Sequence, residues 1–169
     1  DLLDAIQLVR AQHPEVHLTL LGGGSERQRL QERVAAERLE GIEFRDPVPI
    51  DDVAPLMRRA FAGITSLRRS KVLEGARPSK IFPVMASGRP IVYSGSGEGA
   101  RLVADAGAGV IARPEDAADL ARVITELVEH PEAADAMGRE GRRFVQAHQS
   151  WSVLIDRWLD DLGQVPRRW

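Results

Sequence analysis

The chain has 169 residues, 43% apolar and 28% charged, enough for one domain with its own core. Its net charge of −2 gives no broad attraction to nucleic acid or anionic membrane, and zero cysteines exclude a disulfide framework or a thiolate metal site. No apolar run approaches the roughly 18 residues of a membrane-spanning helix and no signal pattern opens the chain, a profile that predicts a cytoplasmic protein.

Leu2, Leu3, Ile6 and Val9 recur at helical spacing and predict an amphipathic helix over 1–12. A strand follows over 16–21 (VHLTLL), then the turn Gly22-Gly23-Gly24-Ser25. Ser25 with Gln28 matches a capping box opening a helix that runs to about residue 38. A short strand is expected over 42–45, a helix over 51–60, and a strand over 61–65 leading into a polar loop, 66–77. Ser79, entered from Pro78, is placed to cap a short helix over 79–87 that Gly88 ends. Next come a strand over 90–94, a helix over 97–105 and a last strand over 109–112. Three helices close the chain near 114–129, 131–148 and 150–162, so residues 1–162 read as one domain and 163–169 as a loosely ordered tail.

Strands alternating with helices predict an α/β, Rossmann-like parallel sheet covered by helices on both faces. Ligands of such sheets bind at the carboxyl ends of the strands. The opening helix should be the crossover from an earlier strand, which would precede residue 1.

Two turns on that edge are prepared for an anion. Ser79 and Lys80 combine a helix N-terminus with a full positive charge, and Ser94-Gly95-Ser96-Gly97-Glu98-Gly99 repeats the arrangement one strand later. Each has a simpler alternative: Ser79 as a plain cap, Lys80 as a solvated side chain, Glu98 as a carboxylate welcome in a first turn. Gly22–Gly24 could cradle a phosphate or sugar, or form only a tight strand-to-helix turn. Arg68, Arg69 and Lys71 could clamp phosphates or lie in a solvated loop. Lys71 and Lys80 are the only lysines. His13, His17, His130 and His148 have no metal-binding or catalytic spacing, and no Ser/His/Asp set can be assembled.

The run PSKIF…MASGRPIV…GEGA…LV…AGAG, with GGGSERQRL, FRDPVP and the closing HQSW, resembles the donor-binding half of the family 4 glycosyltransferases, which have the two-domain GT-B fold. The resemblance implies sugar transfer from a nucleotide diphosphate to an acceptor hydroxyl, in surface polysaccharide or glycoconjugate synthesis. It implies a nucleotide sugar, UDP-type, as substrate, with no cofactor and no metal. The donor-binding residues would be Gly22, Gly23, Gly24, Ser79, Lys80, Ile81, Gly97, Glu98 and Gly99. Arg68, Asp46, Val48 and Glu74 are further candidates, Asp46 and Val48 lying in the loop that resembles the family's nucleobase contact.

The resemblance also implies an acceptor-binding N-terminal domain as partner, which would carry the acceptor and any membrane contact. No catalytic residue is assigned here, and the chain alone should bind without turnover. The last helix would lie across to that domain, with Trp151, Trp158 and Leu162 giving apolar contact there or in this domain's core.

One departure stands out. Pro83 occupies the position at which relatives place a ribose-holding glutamate, and Gly75, beside Glu74, occupies that of its partner glutamate. A decayed, non-catalytic nucleotide-sugar-binding or scaffold module is therefore an alternative, and half of a sugar-nucleotide epimerase is another.

Overall fold

Helices and strands alternate along the computed structural model of the chain, which describes residues 1–164. Helix α1 (Leu2–Arg10) leads to β1 (Leu18–Leu21), α2 (Arg27–Ala36) and β2 (Ile42–Arg45). Next come α3 (Ile50–Arg59), β3 (Gly63–Ser66) and a 3-10 turn at Leu73–Gly75. Helix α4 (Ile81–Ala86), β4 (Ile91–Ser94), α5 (Gly97–Asp105) and β5 (Gly109–Ala112) follow. The chain then runs through α6 (Ala117–Glu129), α7 (Pro131–His148) and α8 (Trp151–Gln164).

All strand pairings are parallel, as the alternation predicts, but they form two ladders. Strand β1 pairs with β2, while β3, β4 and β5 form a second sheet in that order. Helices cover both faces. On one face, Ile6 and Val9 of α1 pack with Leu120 and Ile124 of α6, joined by Leu30 and Val34 of α2. On the other, Ile81 and Met85 of α4 pack with Val103 of α5, joined by Phe144 of α7 and Met57 of α3. Central strand β4 serves both cores by simple alternation. Val92 faces the first, and Ile91 and Tyr93 face the second.

Three expected helix starts shift inward, that of α6 from 114 to Ala117, where the Asp116 side chain caps it. The short helix begins at Ile81 with Lys80 in the N-cap position, and no side chain caps it. Had Ser79 been the cap, the first helical hydrogen bond would need the N–H of residue 83, which is proline. Pro83 therefore moves the start inward, where it sits in the first turn and no donor is required. The capping box at Ser25 also does not form. The helix starts at Arg27, after a turn in which the Arg27 amide donates to the Gly24 carbonyl at 3.2 Å. Gln28 instead bonds Glu32 at 2.9 Å. Gly88 ends α4 as expected, with φ of +71°. Gly163 and Gln164, placed by the sequence in a loose tail, continue α8, and the rest of that tail, 165–169, lies outside the described residues.

Candidate functional site

The turns at the carboxyl ends of β1, β2, β3 and β4 form one edge of the molecule, and three linked neighbourhoods lie along it. The first is built by Arg27, at the start of α2. Its guanidinium donates to the carbonyls of Gly22 and Arg45, the latter at 2.8 Å, and pairs with Asp46 at 2.9 Å. Its charge also lies 6.0 Å from the centre of the Phe44 ring. Gly22 and Gly24 carry φ of +113° and +142°, so the turn depends on them for conformation. Gly23 has no such φ and nothing within 4 Å of the place a Cβ would occupy. Arg27 was not singled out from sequence. Its signal was its place directly after the glycine turn, where a long donor can reach back to carbonyls.

The second neighbourhood is a cleft of about 700 Å³ between β1 and β3, walled by α3 and α4. At its carboxyl-end mouth, Leu21 and Arg45 face Ser79 and Lys80, and Pro83 also lines the wall. The lining contains no carboxylate. Lys80 is exposed and makes no ion pair among the described residues. Ile81 is fully buried, and its amide donates to the Pro78 carbonyl at 3.2 Å.

The third lies under α5. Gly97, at φ +78°, starts the helix against the backbone of Glu74: an added Cβ would come within 2.1 Å of the Glu74 carbonyl oxygen. Gly99 sits directly over the Tyr93 hydroxyl, which a Cβ there would meet at 2.2 Å. The Glu98 carboxylate is held by Arg101 at 2.8 Å and Arg77 at 3.0 Å, which lowers its proton affinity below the usual carboxylate range. Its oxygens thus already have partners in this arrangement.

The structure therefore brings Gly22 and Asp46 together through Arg27, Ser79 and Lys80 together in the cleft, and Glu74 together with Gly97 and Glu98. Val48 is half-buried in the loop after β2, while Arg68, Arg69 and Lys71 are exposed. His13, expected to be structural or superficial, reaches Glu15 and Glu129 at 3.5 and 3.6 Å, far from this edge in the fold. Among the described residues no cluster of three or more His, Asp or Glu could hold a metal ion, and no helix is long and apolar enough to cross a membrane.

A second polar knot, unread from sequence, follows β5. Asp119 is buried and accepts from the Arg113 amide at 2.8 Å and from the Arg122 guanidinium at 2.8 and 3.0 Å. These donors hold its carboxyl at about 2. Asp116 caps the same helix, accepting from the Asp119 amide at 2.9 Å.

The fold is shared with solved glycosyltransferases. A glycosyltransferase from Rickettsia africae superposes with a TM-score of 0.81 over 99% of this chain and 44% of its own, at 16% identity. The Anabaena protein Alr3699/HepE, solved with UDP-glucose, gives 0.80 over 97% of this chain and 44% of its own, at 18% identity. At such identity the likeness is one of fold, the Rossmann-like α/β fold of GT-B enzymes.

Among curated proteins, a GDP-mannose-dependent monoacylated alpha-(1-6)-phosphatidylinositol monomannoside mannosyltransferase of Corynebacterium glutamicum is 26% identical over 98% of this chain and 44% of its own length. The glycogen synthase of Mycobacterium tuberculosis is 25% identical over 91% of this chain and 36% of its own. The chain thus spans less than half the length of these relatives. The family model for group 1 glycosyl transferases matches residues 1–130, most of the chain, and the chain belongs to that family.

Proposed function

We propose that this chain is the donor-binding part of a glycosyltransferase and that the mouth of the β1–β3 cleft receives the diphosphate of a nucleotide sugar. The observation that carries this reading is the cleft's charge. Arg45 and Lys80 stand at its carboxyl-end mouth beside the Ser79 hydroxyl, and no carboxylate lines it. Lys80 has no ion-pair partner among the described residues, whereas Arg45 is held by Glu43 at 2.8 Å and would share or exchange that carboxylate for a diphosphate oxygen.

In the reaction, the acceptor hydroxyl oxygen bonds to the anomeric carbon of the sugar as that carbon's bond to the diphosphate breaks. The hydroxyl loses its proton, and the nucleoside diphosphate leaves with the bonding electrons. Lys80 would stabilise the negative charge that grows on the leaving group. The amides of Gly22–Gly24 and Gly97–Gly99 would approach the rest of the donor, and the loop with Asp46 and Val48 would meet the base. Glu98 would take a sugar hydroxyl on Oε1, which accepts only from Arg101 in this arrangement. The acceptor would bind to a further domain of the same polypeptide, across which α8 would lie. The donor is expected to be UDP-type, and the product a surface polysaccharide or glycoconjugate. Supporting the latter, the Corynebacterium glutamicum relative is a phosphatidylinositol monomannoside mannosyltransferase.

Titration of UDP, GDP and ADP into isotope-labelled protein tests this reading through backbone amide shifts. Shifts confined to residues 22–25, 79–82 and 97–100 are expected, and the tightest of the three names the base. Lys80→Ala should weaken diphosphate binding about tenfold, the loss of roughly 1.4 kcal/mol expected for one charge-assisted contact, with Tm unchanged. Unaltered affinity would remove Lys80 from the site.

A second reading rests on Pro83, which lines the same cleft and offers no hydroxyl acceptor on its side chain. It makes the chain a nucleotide-sugar-binding module without turnover. Binding in the titration, with no transfer by the complete polypeptide, would select it.

A further inference from the structure

We propose that the loop between β3 and α4, with the first turn of α5, forms a second anion site beside the diphosphate mouth. It would take a carboxylate or phosphate borne by the transferred sugar or by the acceptor, a charge beyond that of the diphosphate. That substrate class rests on the donor-binding reading of the cleft, whereas the anion site itself does not.

Charge is the first ground. Residues 67–79 carry four cations, Arg68, Arg69, Lys71 and Arg77, against one carboxylate, Glu74, in a chain whose net charge is −2. Arg68, Arg69 and Lys71 are exposed and make no ion pair among the described residues, and Glu74 pairs with none of the four. Three like charges within four residues repel one another, and no neighbouring acid offsets that cost.

Placement is the second. Three contacts pin the loop to the turn between β4 and α5. The Leu67 amide donates to the Ser94 carbonyl at 2.8 Å. The Glu74 backbone lies against Gly97. Arg77 reaches Glu98 through Nε at 3.2 Å and Nη2 at 3.0 Å. Residues 94–98 span at most about 14 Å of extended chain, so the three anchors share one patch of the carboxyl edge. Arg68 adjoins one anchor, Arg77 is another, and Arg69 and Lys71 lie in the arch between. None of these four cations lines the cleft, whose mouth is served by Arg45 and Lys80. Lys80 follows Arg77 by three residues, at most about 11 Å along the chain, so one substrate can reach both sites.

The local field is the third. The loop closes on the N-terminus of α5, the positive end of a helix dipole, where stability alone favours acids over cations. Arg77 and Arg101 converge there on a single carboxylate, Glu98, with Arg101 bound to Oε1 at 2.8 Å. One counter-ion thus serves two guanidiniums. Nη1 of Arg77 and both Nε and Nη1 of Arg101 have no partner among the described residues. Free guanidinium edges of this kind match a carboxylate or phosphate in bidentate fashion. A neutral sugar needs only the Glu98 carboxylate; the surplus of cations suits an acid group.

Glycerol phosphate, with glycerol as the neutral control, tests the site when titrated into isotope-labelled chain at constant ionic strength. Backbone amide shifts are expected at 68–71, 77 and 98–101, and they should persist in Lys80→Ala. The triple variant Arg68→Gln/Arg69→Gln/Lys71→Gln changes only exposed side chains. It should weaken this binding about tenfold with Tm unchanged. Absence of loop shifts would overturn the proposal, as would shifts confined to 79–82 and abolished by Lys80→Ala. Equal shifts with glycerol, or an unweakened triple variant, would do the same. UDP-glucuronic acid set against UDP-glucose then separates the two sources of charge. If the sugar carries it, the glucuronate binds about tenfold tighter and displaces glycerol phosphate from the loop. If the acceptor carries it, glycerol phosphate stays bound beside either donor. Loop shifts with glycerol phosphate, but none at 79–82 with UDP, GDP or ADP, would support the anion site and sink only the diphosphate reading.

Discussion

Tyr93 has a fully buried side chain whose hydroxyl finds no hydrogen-bond partner among the described residues. Burial alone pushes its proton affinity up. Its ring supports the glycine turn at 95–99, so its packing outweighs its polarity. Tyr93→Phe is expected to leave stability within about 1 kcal/mol of the parent or raise it, because an unpaired buried hydroxyl contributes nothing favourable. Urea unfolding checks this, and a loss much above that range would reveal a bound water or a hidden partner.

Asp119 is the opposite case, a buried carboxylate whose oxygens are engaged by an amide and two arginines. Its carboxyl lies at about 2 in the fold, against the ordinary 3.8. The sign follows from linkage. The unfolded chain takes up this proton first as pH falls, so the stabilisation is full above about pH 4 and is lost as pH drops toward 2. Asp119→Asn should cost about 2 kcal/mol at pH 7 and flatten the fall in stability between pH 4 and 2, measured as the urea midpoint against pH. Asp119 escaped the sequence reading because an acid five residues after Pro114 looks like any acid near a helix start. Its burial arises from the Arg113 amide at the end of β5, a contact that spacing alone does not display.

At the level of elements, legibility followed local cause. Strands β2 and β5 and helices α5 and α7 have the bounds read from sequence, since a glycine, a proline or a pattern change marks each end. Helices α2 and α4 start later than read, because Ser25 and Ser79 look like caps while Arg27 and Pro83 decide the outcome. That decision needs three-dimensional acceptors in one case and a missing N–H in the other. The order of turns along the ligand edge was legible in full. The bridges across it, Arg27 to Asp46 and Arg77 to Glu98, were not, since they join residues 19 and 21 positions apart.

Helix α7 packs more closely than its sequence announces. At Gly138 it passes the turn after α4 so tightly that a Cβ would come within 2.2 Å of the Gly88 carbonyl oxygen. Gly138→Val should cost about 2–3 kcal/mol through forced displacement of α7. Thermal unfolding measures this, and a variant as stable as the parent would show that α7 can slide at no cost.

For the molecule as a whole, the α8 helix presents Trp151, Trp158 and Leu162 to solvent at 81%, 61% and 51% exposure. They are surface residues, not core, which removes one of the two roles open to them in sequence. Trp158→Ser should therefore change the stability of this chain by less than about 0.5 kcal/mol. A large loss would mean that α8 folds back onto the domain in solution. The parallel α/β class was plain from alternation, yet the division into two ladders was invisible, because hydrophobic pattern reports burial and not which edge lacks a neighbour. Strand order is a property of pairing at long range, and β1 and β3 carry no local mark of facing each other.

The near-absence of lysine has a practical reach of its own. With 21 arginines doing the work of surface charge, only Lys71 and Lys80 offer side-chain amines, and both are exposed. An acylating reagent of moderate reactivity therefore reads two side-chain positions, one in the loop after β3 and one at the cleft mouth. A diphosphate seated at Lys80 would shield it while Lys71 went on reacting, a ratio legible by mass spectrometry at protein amounts too small for any titration.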